Sequence, residues 1–260
     1  MNYTDSIFHD EKIKYFSIDV LDKTNLVHAF YTTNDTVAWK MSNPGYKESY
    51  EKLSEVLGVK PESMCTTDQT HTDIVRVVSK KEAGEGVTRS LELREYDALV
   101  TNEKGLLLCS FEADCVPVYF LDPVKKACGI VHSGWRGTAK MICKNAVNKF
   151  TLNYGSDPAD LVAVIGPCAC KKCYEVGSEL IDEFKPLFGS ETDSIFSLRD
   201  SEKYLLDLEK AIEITLLKCG LSSEKIFTVS RCTIEDEKLC SFRRTHQKKL
   251  DNPTNSSEEI

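Results

Sequence analysis

A chain of 260 residues with 41% apolar and 28% charged residues is long enough to bury a sizeable core and has the composition of a globular protein. Its formal net charge of −8 excludes a general nucleic-acid binder, which needs a basic surplus, but leaves room for a local basic pocket that takes one anion. No apolar run approaches the ~20 residues that cross a membrane, so no membrane partner is expected.

The opening MNYTDSIFHDEK has neither a basic n-region nor an apolar h-region, so no secretory signal is expected and the expected location is cytoplasmic. In that setting the eleven cysteines read as reduced core thiols, metal ligands or catalytic groups and not as a disulfide framework. In chain order, strands are expected at 13–19 and 27–31, then a polar turn at Thr33–Asp35. Asn43-Pro44 opens a helix that Gly58 closes, with Tyr46, Tyr50, Leu53 and Leu57 at helical spacing. Residues 74–78 (IVRVV) read as a strand and 80–90 as a loop. Four short apolar runs follow at 96–101, 105–110, 116–121 and 127–132, joined by connections of hairpin length.

A helix over 139–152 with Thr138 as its cap precedes a buried-type strand at 161–165. Helices at 178–188 and 204–219, the second stopped by Gly220, and a strand at 226–230 complete the pattern. Without repeats or a composition shift, the economical reading is one α+β domain over 1–247 with mixed sheets flanked by helices. Residues 248–260 read as a polar, disordered tail.

The chemistry centres on ADCVPVYFLDPVKKACGIVHSGWRGT, residues 113–138. Cys115 stands just before one strand, and His132 ends the next and faces a Gly turn. Only five histidines occur; His9, His28 and His246 lie in uninformative contexts, whereas His71 sits in a polar turn immediately before a strand. His71, Cys115 and His132 are a sensible ligand set for zinc, since two imidazoles and a thiolate leave a fourth position open for water or substrate. They lie too far apart in the chain for spacing alone to establish a metal site. Cys115 and His132 read equally as a thiol–imidazole pair for nucleophilic catalysis, a metal-free hydrolase or amidase. A non-catalytic zinc-binding partner protein is a third reading. Cys168, Cys170 and Cys173 in GPCACKKCYEV have the density of a metal site but no fourth ligand nearby, and read as small buried thiols in a turn. Arg136, beside a helix start, suits a phosphate or carboxylate, and Arg243-Arg244 form a second basic pair.

The stretches DQTHTDIV, YDALVT, ADCVPVYFLDP, ACGIVHSGWRGT, IGPCACKKCYEVG and CSFRR, in this order, resemble the YfiH-like family, also called the multicopper polyphenol oxidoreductase (laccase) domain family or purine nucleoside phosphorylases of the LACC type. The resemblance spans most of residues 27–244. It implies a single α+β domain, zinc on His71, Cys115 and His132, and phosphorolysis of purine nucleosides (adenosine, inosine, guanosine, methylthioadenosine) with adenosine deamination as a second activity. A role in editing peptidoglycan precursors has also been attached to the family. Purine nucleosides and phosphate are therefore the expected partners, with Arg136, Arg243 and Arg244 as phosphate contacts. The chain departs from the family at Thr32–Asp35, where an Arg-Gly-Gly-type turn is usual, and at its end, THQKKLDNPTNSSEEI. Zinc is expected over copper, because laccase chemistry needs several coppers and far more histidines than five.

Overall fold

The computed structural model describes residues 1–35 and 39–251. Its frame is a mixed sheet of seven strands: β1 (Asn2–Tyr3), β2 (Val75–Val77), β3 (Ala98–Thr101), β4 (Val116–Asp122), β5 (Ala127–Ser133), β6 (Val162–Ile165) and β7 (Ile226–Thr228). Their spatial order is β1-β7-β6-β4-β5-β3-β2. The central hairpin β4–β5 runs in register from Val116 opposite Ser133 to Asp122 opposite Ala127. Its turn is closed by Asp122, whose Oδ1 accepts the N–H groups of Val124 and Lys125, both at 2.8 Å.

Alternation along β4 sorts the core into two layers. Val116, Val118 and Phe120 face helices Ile142–Tyr154 and Leu208–Lys218, which bury Ile142, Ala146, Phe150, Ile212 and Leu216 with them. Leu121 points the other way, onto Ile18, Leu21 and Ala29 beside a small sheet of Ser6–Asp10, Lys14–Ile18 and Phe30–Thr32. Gly129 of β5 permits close packing here: a Cβ would stand 2.9 Å from the Leu99 carbonyl oxygen and 3.2 Å from the Phe150 ring. The architecture is therefore α+β, with mixed sheets flanked by helices. Among the described residues, no helix is long and apolar enough to cross a membrane.

Several elements differ from the sequence expectation for identifiable reasons. The run 105–110 forms no hairpin with 96–101. β3 pairs with β5, while Leu107–Cys109 leaves the sheet to pair in parallel with Met64–Thr66. The helix expected after Asn43 is Tyr46–Leu57, entered through Gly45 in the left-handed region and not through Asn43; Gly58 closes it as expected. Thr138 does not cap the helix after it. It lies in a short helix, Trp135–Ala139, and donates back to the Gly134 carbonyl, and Ile142–Tyr154 starts from Met141 at φ 64°. The apolar residues at 204–206 are a strand, Lys203–Leu206; helix Leu208–Lys218 begins only where the Asp207 carboxylate accepts the Lys210 N–H at 2.9 Å. The last helix, Phe242–Asp251, runs through Lys248, so the first residues of the expected tail are helical; 252–260 lie outside the described residues.

Candidate metal centre

The sheet's register brings the chemically active segments to one end. Antiparallel pairing sets the start of β4 beside the end of β5, which puts Cys115 next to His132. β3 starts at that end, with Ala98 opposite Val131, and β2 starts there too, with Val75 opposite Ala98. The turn carrying His71 therefore arrives from β2, far away in sequence. Its backbone is bent sharply, with Gln69 at φ 48° and His71 itself at φ 62°, a conformation that costs a non-glycine residue roughly 1–2 kcal/mol. The compensation comes from Asp97, whose carboxylate accepts the N–H groups of Thr70, His71 and Thr72 at 3.2, 3.0 and 2.7 Å, and the Thr72 hydroxyl at 2.8 Å. Asn145 adds a tie by donating to the Asp73 carbonyl at 2.9 Å.

The structure brings His71, Cys115 and His132 together. Their donor atoms lie within 4.8 Å of one another, with His71 Nε2 3.9 Å from Cys115 Sγ. The two imidazoles meet edge to face, centroids 5.0 Å apart at 77°. Ideal tetrahedral zinc with bonds of about 2.0–2.3 Å sets such donors roughly 3.3–3.6 Å apart, so the set needs to draw in by at most about 1.5 Å. Gly134 makes the approach possible: a Cβ there would fall 2.8 Å from Cys115 Sγ and 3.0 Å from the His71 ring. A side chain at this position, within GWRG, would have to displace the Cys115 sulfur or the His71 ring.

Electrostatics set these groups apart from the rest of the chain. Burial opposes a thiolate at Cys115, but hydrogen bonding and charge from His132 and His71 outweigh it and hold the thiol below its ordinary value. Burial instead pushes the packing thiols Cys128 and Cys143 up to about 11 and about 12. His132 is 4% exposed and Asp97 0%. Burial disfavours the His132 imidazolium, yet the Asp97 carboxylate at 2.7 Å from Nδ1 and the Cys115 sulfur raise it to about 10. Asp97 is held down to about 2 despite its own burial, by His132 and the Thr72 donors. The Asp97 bond occupies Nδ1, so Nε2 is the His132 nitrogen available to a metal.

Three acidic residues at this site carry no signal in the sequence pattern. Asp97 hides inside the apolar run YDALVT. Glu112 accepts the Ser110 hydroxyl at 2.7 Å, and burial raises its carboxyl above the usual range. Asp114, adjoining Cys115, is a third: its Oδ1 accepts the Thr233 hydroxyl and its Oδ2 the Arg243 backbone N–H, both at 2.7 Å.

The three arginines separate. Arg136 is exposed in the short helix Trp135–Ala139, its guanidinium 4.2 Å from the Trp135 ring. Arg243 packs 5.0 Å from the Tyr174 ring and, with Trp135, Tyr174 and Lys203, lines a cavity of about 230 Å³. None of the three metal-type residues lines this cavity, and its link to them is Trp135, which follows Gly134 in the chain. Arg244 is occupied elsewhere, its guanidinium donating to the carbonyls of Thr233, Ile234, Asp236 and Leu239. The Thr33–Asp35 turn contacts the 236–239 segment instead, Asn34 N–H donating to the Lys238 carbonyl at 2.8 Å.

Residues 35–250 match the family described as multi-copper polyphenol oxidoreductase laccase. The chain is 34% identical over 200 residues to purine nucleoside phosphorylase YlmD of Bacillus subtilis, covering 76% of this chain and 72% of that protein. It is 29% identical over 194 residues to adenosine deaminase RL5 of an unknown prokaryotic organism, 74% of each. The crystal structure of the hypothetical protein YfiH of Bacillus licheniformis superposes with a TM-score of 0.82 at 30% identity, over 93% of this chain and 95% of that one. With the sheet-end cluster and the coverage in agreement, this chain belongs to the multi-copper polyphenol oxidoreductase laccase family.

Proposed function

We propose that the chain is a zinc-dependent purine nucleoside phosphorylase, taking adenosine, inosine, guanosine or methylthioadenosine with phosphate to the free base and the sugar 1-phosphate, and that it also deaminates adenosine. The observation that carries the reading is an open three-donor set, His71, Cys115 and His132; a cavity lined by Arg243 and Lys203 together with Glu175 and Glu179 reaches Trp135, three residues after His132. Zinc held there would supply Lewis acidity to a purine heteroatom or to water. Copper in a laccase arrangement is disfavoured by the donors themselves, because two imidazoles and one thiolate cannot hold several ions.

The protein's own groups divide the remaining work. Phosphorolysis forms a bond from a phosphate oxygen to C1′ and breaks the C1′–N bond, so the enzyme must hold an anion beside a sugar carbon that becomes cationic. Arg243 and Arg136 are the groups assigned to that anion, and the donors of Arg244 are already taken by the chain. Trp135 and Tyr174 offer ring faces, and a cavity of about 230 Å³ suits one part of the reactants, below the ~300–1,000 Å³ of whole small-molecule sites.

Cys115, His132 and Asp97 also stand in the order of a thiol–imidazole–carboxylate relay, which favours a cysteine hydrolase as the second reading. Against it, His71 points a second imidazole at the sulfur, where a relay has no use for one. Zinc-loaded protein given inosine should release hypoxanthine and ribose 1-phosphate only when phosphate is present, and Cys115→Ala should abolish the release. No base from inosine or adenosine under these conditions sinks the proposal, and amide hydrolysis that survives chelation installs its rival. Arg243→Ala should raise the KM for phosphate by about 10–100-fold, the scale of one charged hydrogen-bonding contact, with Arg244→Ala acting on thermal stability instead.

A further inference from the structure

We propose that Cys170, Cys173, Cys232 and Glu235 form a second zinc site, closed and structural, apart from His71, Cys115 and His132. Their donor atoms lie within 4.8 Å of one another, the same closeness as in the first set. In sequence the four make two short pairs, Cys-x-x-Cys and Cys-x-x-Glu, separated by a long stretch of chain. The fold joins them because β6 and β7 are parallel neighbours, so the segments that leave their ends emerge side by side. Cys168 then pairs with Cys232 as an isolated bridge, with Cys168 N–H donating to the Arg231 carbonyl and Thr233 N–H to the Cys168 carbonyl at 3.2 and 2.9 Å.

The local geometry is that of a metal-binding knuckle. The Cys170 carbonyl accepts the N–H groups of Cys173 and Tyr174 at 2.9 and 3.0 Å, which curls 170–173 and turns both sulfurs to one side. The Cys170 N–H points at Cys232 Sγ at 3.4 Å, and Cys173 Sγ stands 3.5 Å from Glu235 Oε1. Three thiols and a carboxylate packed this closely repel one another once ionised, and a divalent cation removes the conflict. A single disulfide would leave the third thiol and the carboxylate without a purpose. Four protein donors complete a tetrahedron and leave no open position, the pattern of structural zinc. Three thiolates and one carboxylate around Zn²⁺ carry a net charge of −2, and the two residues between Cys170 and Cys173 are both lysines.

The consequence reaches the first site. The 168–174 and 231–235 segments both grip Asp114, through the Ala169 N–H to its carbonyl at 3.0 Å and the Thr233 hydroxyl to its carboxylate at 2.7 Å. Clamping these segments fixes the residue adjoining Cys115 and the loop that presents Tyr174.

The test counts zinc per chain by elemental mass spectrometry on full-length protein purified reduced, without oxygen and with zinc supplied. Two equivalents are expected in the unaltered chain, one in Cys170→Ser/Cys173→Ser, and one in His71→Ala/His132→Ala. Cobalt loaded into the histidine variant should show the intense thiolate-to-cobalt charge-transfer band of a three-thiolate site. If the cysteine variant does not fold, Glu235→Ala, a change at an exposed position, should lose one equivalent to a competing chelator at about ten-fold lower concentration or less. Zinc content and chelator competition that neither the cysteine nor the glutamate change affects overturn the proposal. So does a disulfide between any two of Cys170, Cys173 and Cys232 in protein prepared this way. These readouts do not depend on catalysis, so the phosphorylase reading can fail while this site stands.

Discussion

Asp97 joins the two histidines of the candidate centre. One carboxylate oxygen bonds His132 Nδ1 and the His71 N–H, and the other takes the Thr70 and Thr72 donors. An Asn there would set its NH₂ group against donors, leaving at least one buried N–H unpaired at a cost of about 1–3 kcal/mol. Asp97→Asn should therefore lower the thermal midpoint of the metal-free protein and weaken zinc binding by about 10–100-fold in chelator competition. Unchanged affinity would mean that Asp97 only shapes the loop. The ligand candidates were legible in the sequence because histidine is scarce and each stood at a strand edge. Asp97 was not, because its neighbours Tyr96, Ala98, Leu99 and Val100 are core residues, and an acid within such a run has no distinguishing pattern. Cys232 and Glu235 were invisible for another reason: only parallel pairing of β6 with β7 brings them to Cys170.

At the scale of elements, the β4–β5 hairpin and helix Ile142–Tyr154 were legible because their apolar periodicity is long and their turn chemistry is local. Leu107–Cys109 was not, since periodicity says that a run is a strand but not which strand it joins. The 204–206 stretch was missed because the apolar residues of a short strand continued in phase with the helix beyond Asp207. Gly129 shows how tightly the hairpin and helix are fitted. Adding a side chain there must displace the Leu99 carbonyl, which is held in the ladder, or the Phe150 ring. Gly129→Val should cost about 1–3 kcal/mol or more in denaturant unfolding, whereas Gly105→Val, where nothing lies within 4 Å, should show only the strain of a left-handed backbone. An unchanged unfolding midpoint in Gly129→Val would show that the hairpin and helix yield around the added side chain and that close packing does not govern Gly129.

Over the whole molecule, the candidate ligands come from the ends of different strands, and those strands are neighbours in one sheet. The segments that follow or precede β2, β3, β4, β5, β6 and β7 meet at a single end, so a metal bound there crosslinks pieces of chain that the sheet alone joins at a distance. A ligand that binds only the folded chain stabilises it by RT ln(1 + [L]/Kd), about 2.7 kcal/mol at a hundred times Kd. Only amides whose opening disrupts the bound site feel that stabilisation. Zinc should therefore slow hydrogen exchange at 68–73, 95–98, 113–116 and 131–135. The separate small sheet of Glu175–Gly177, Phe196–Leu198 and Lys203–Leu206 contributes no donor to either cluster and should exchange as before through its own local openings. With two zinc sites, 168–174 and 231–235 gain protection in a distinct step of the titration. That step survives His71→Ala/His132→Ala and disappears with Cys170→Ser/Cys173→Ser. Protection that spreads evenly over the chain would show that zinc acts on global stability alone, and protection confined to the small sheet would place the metal elsewhere.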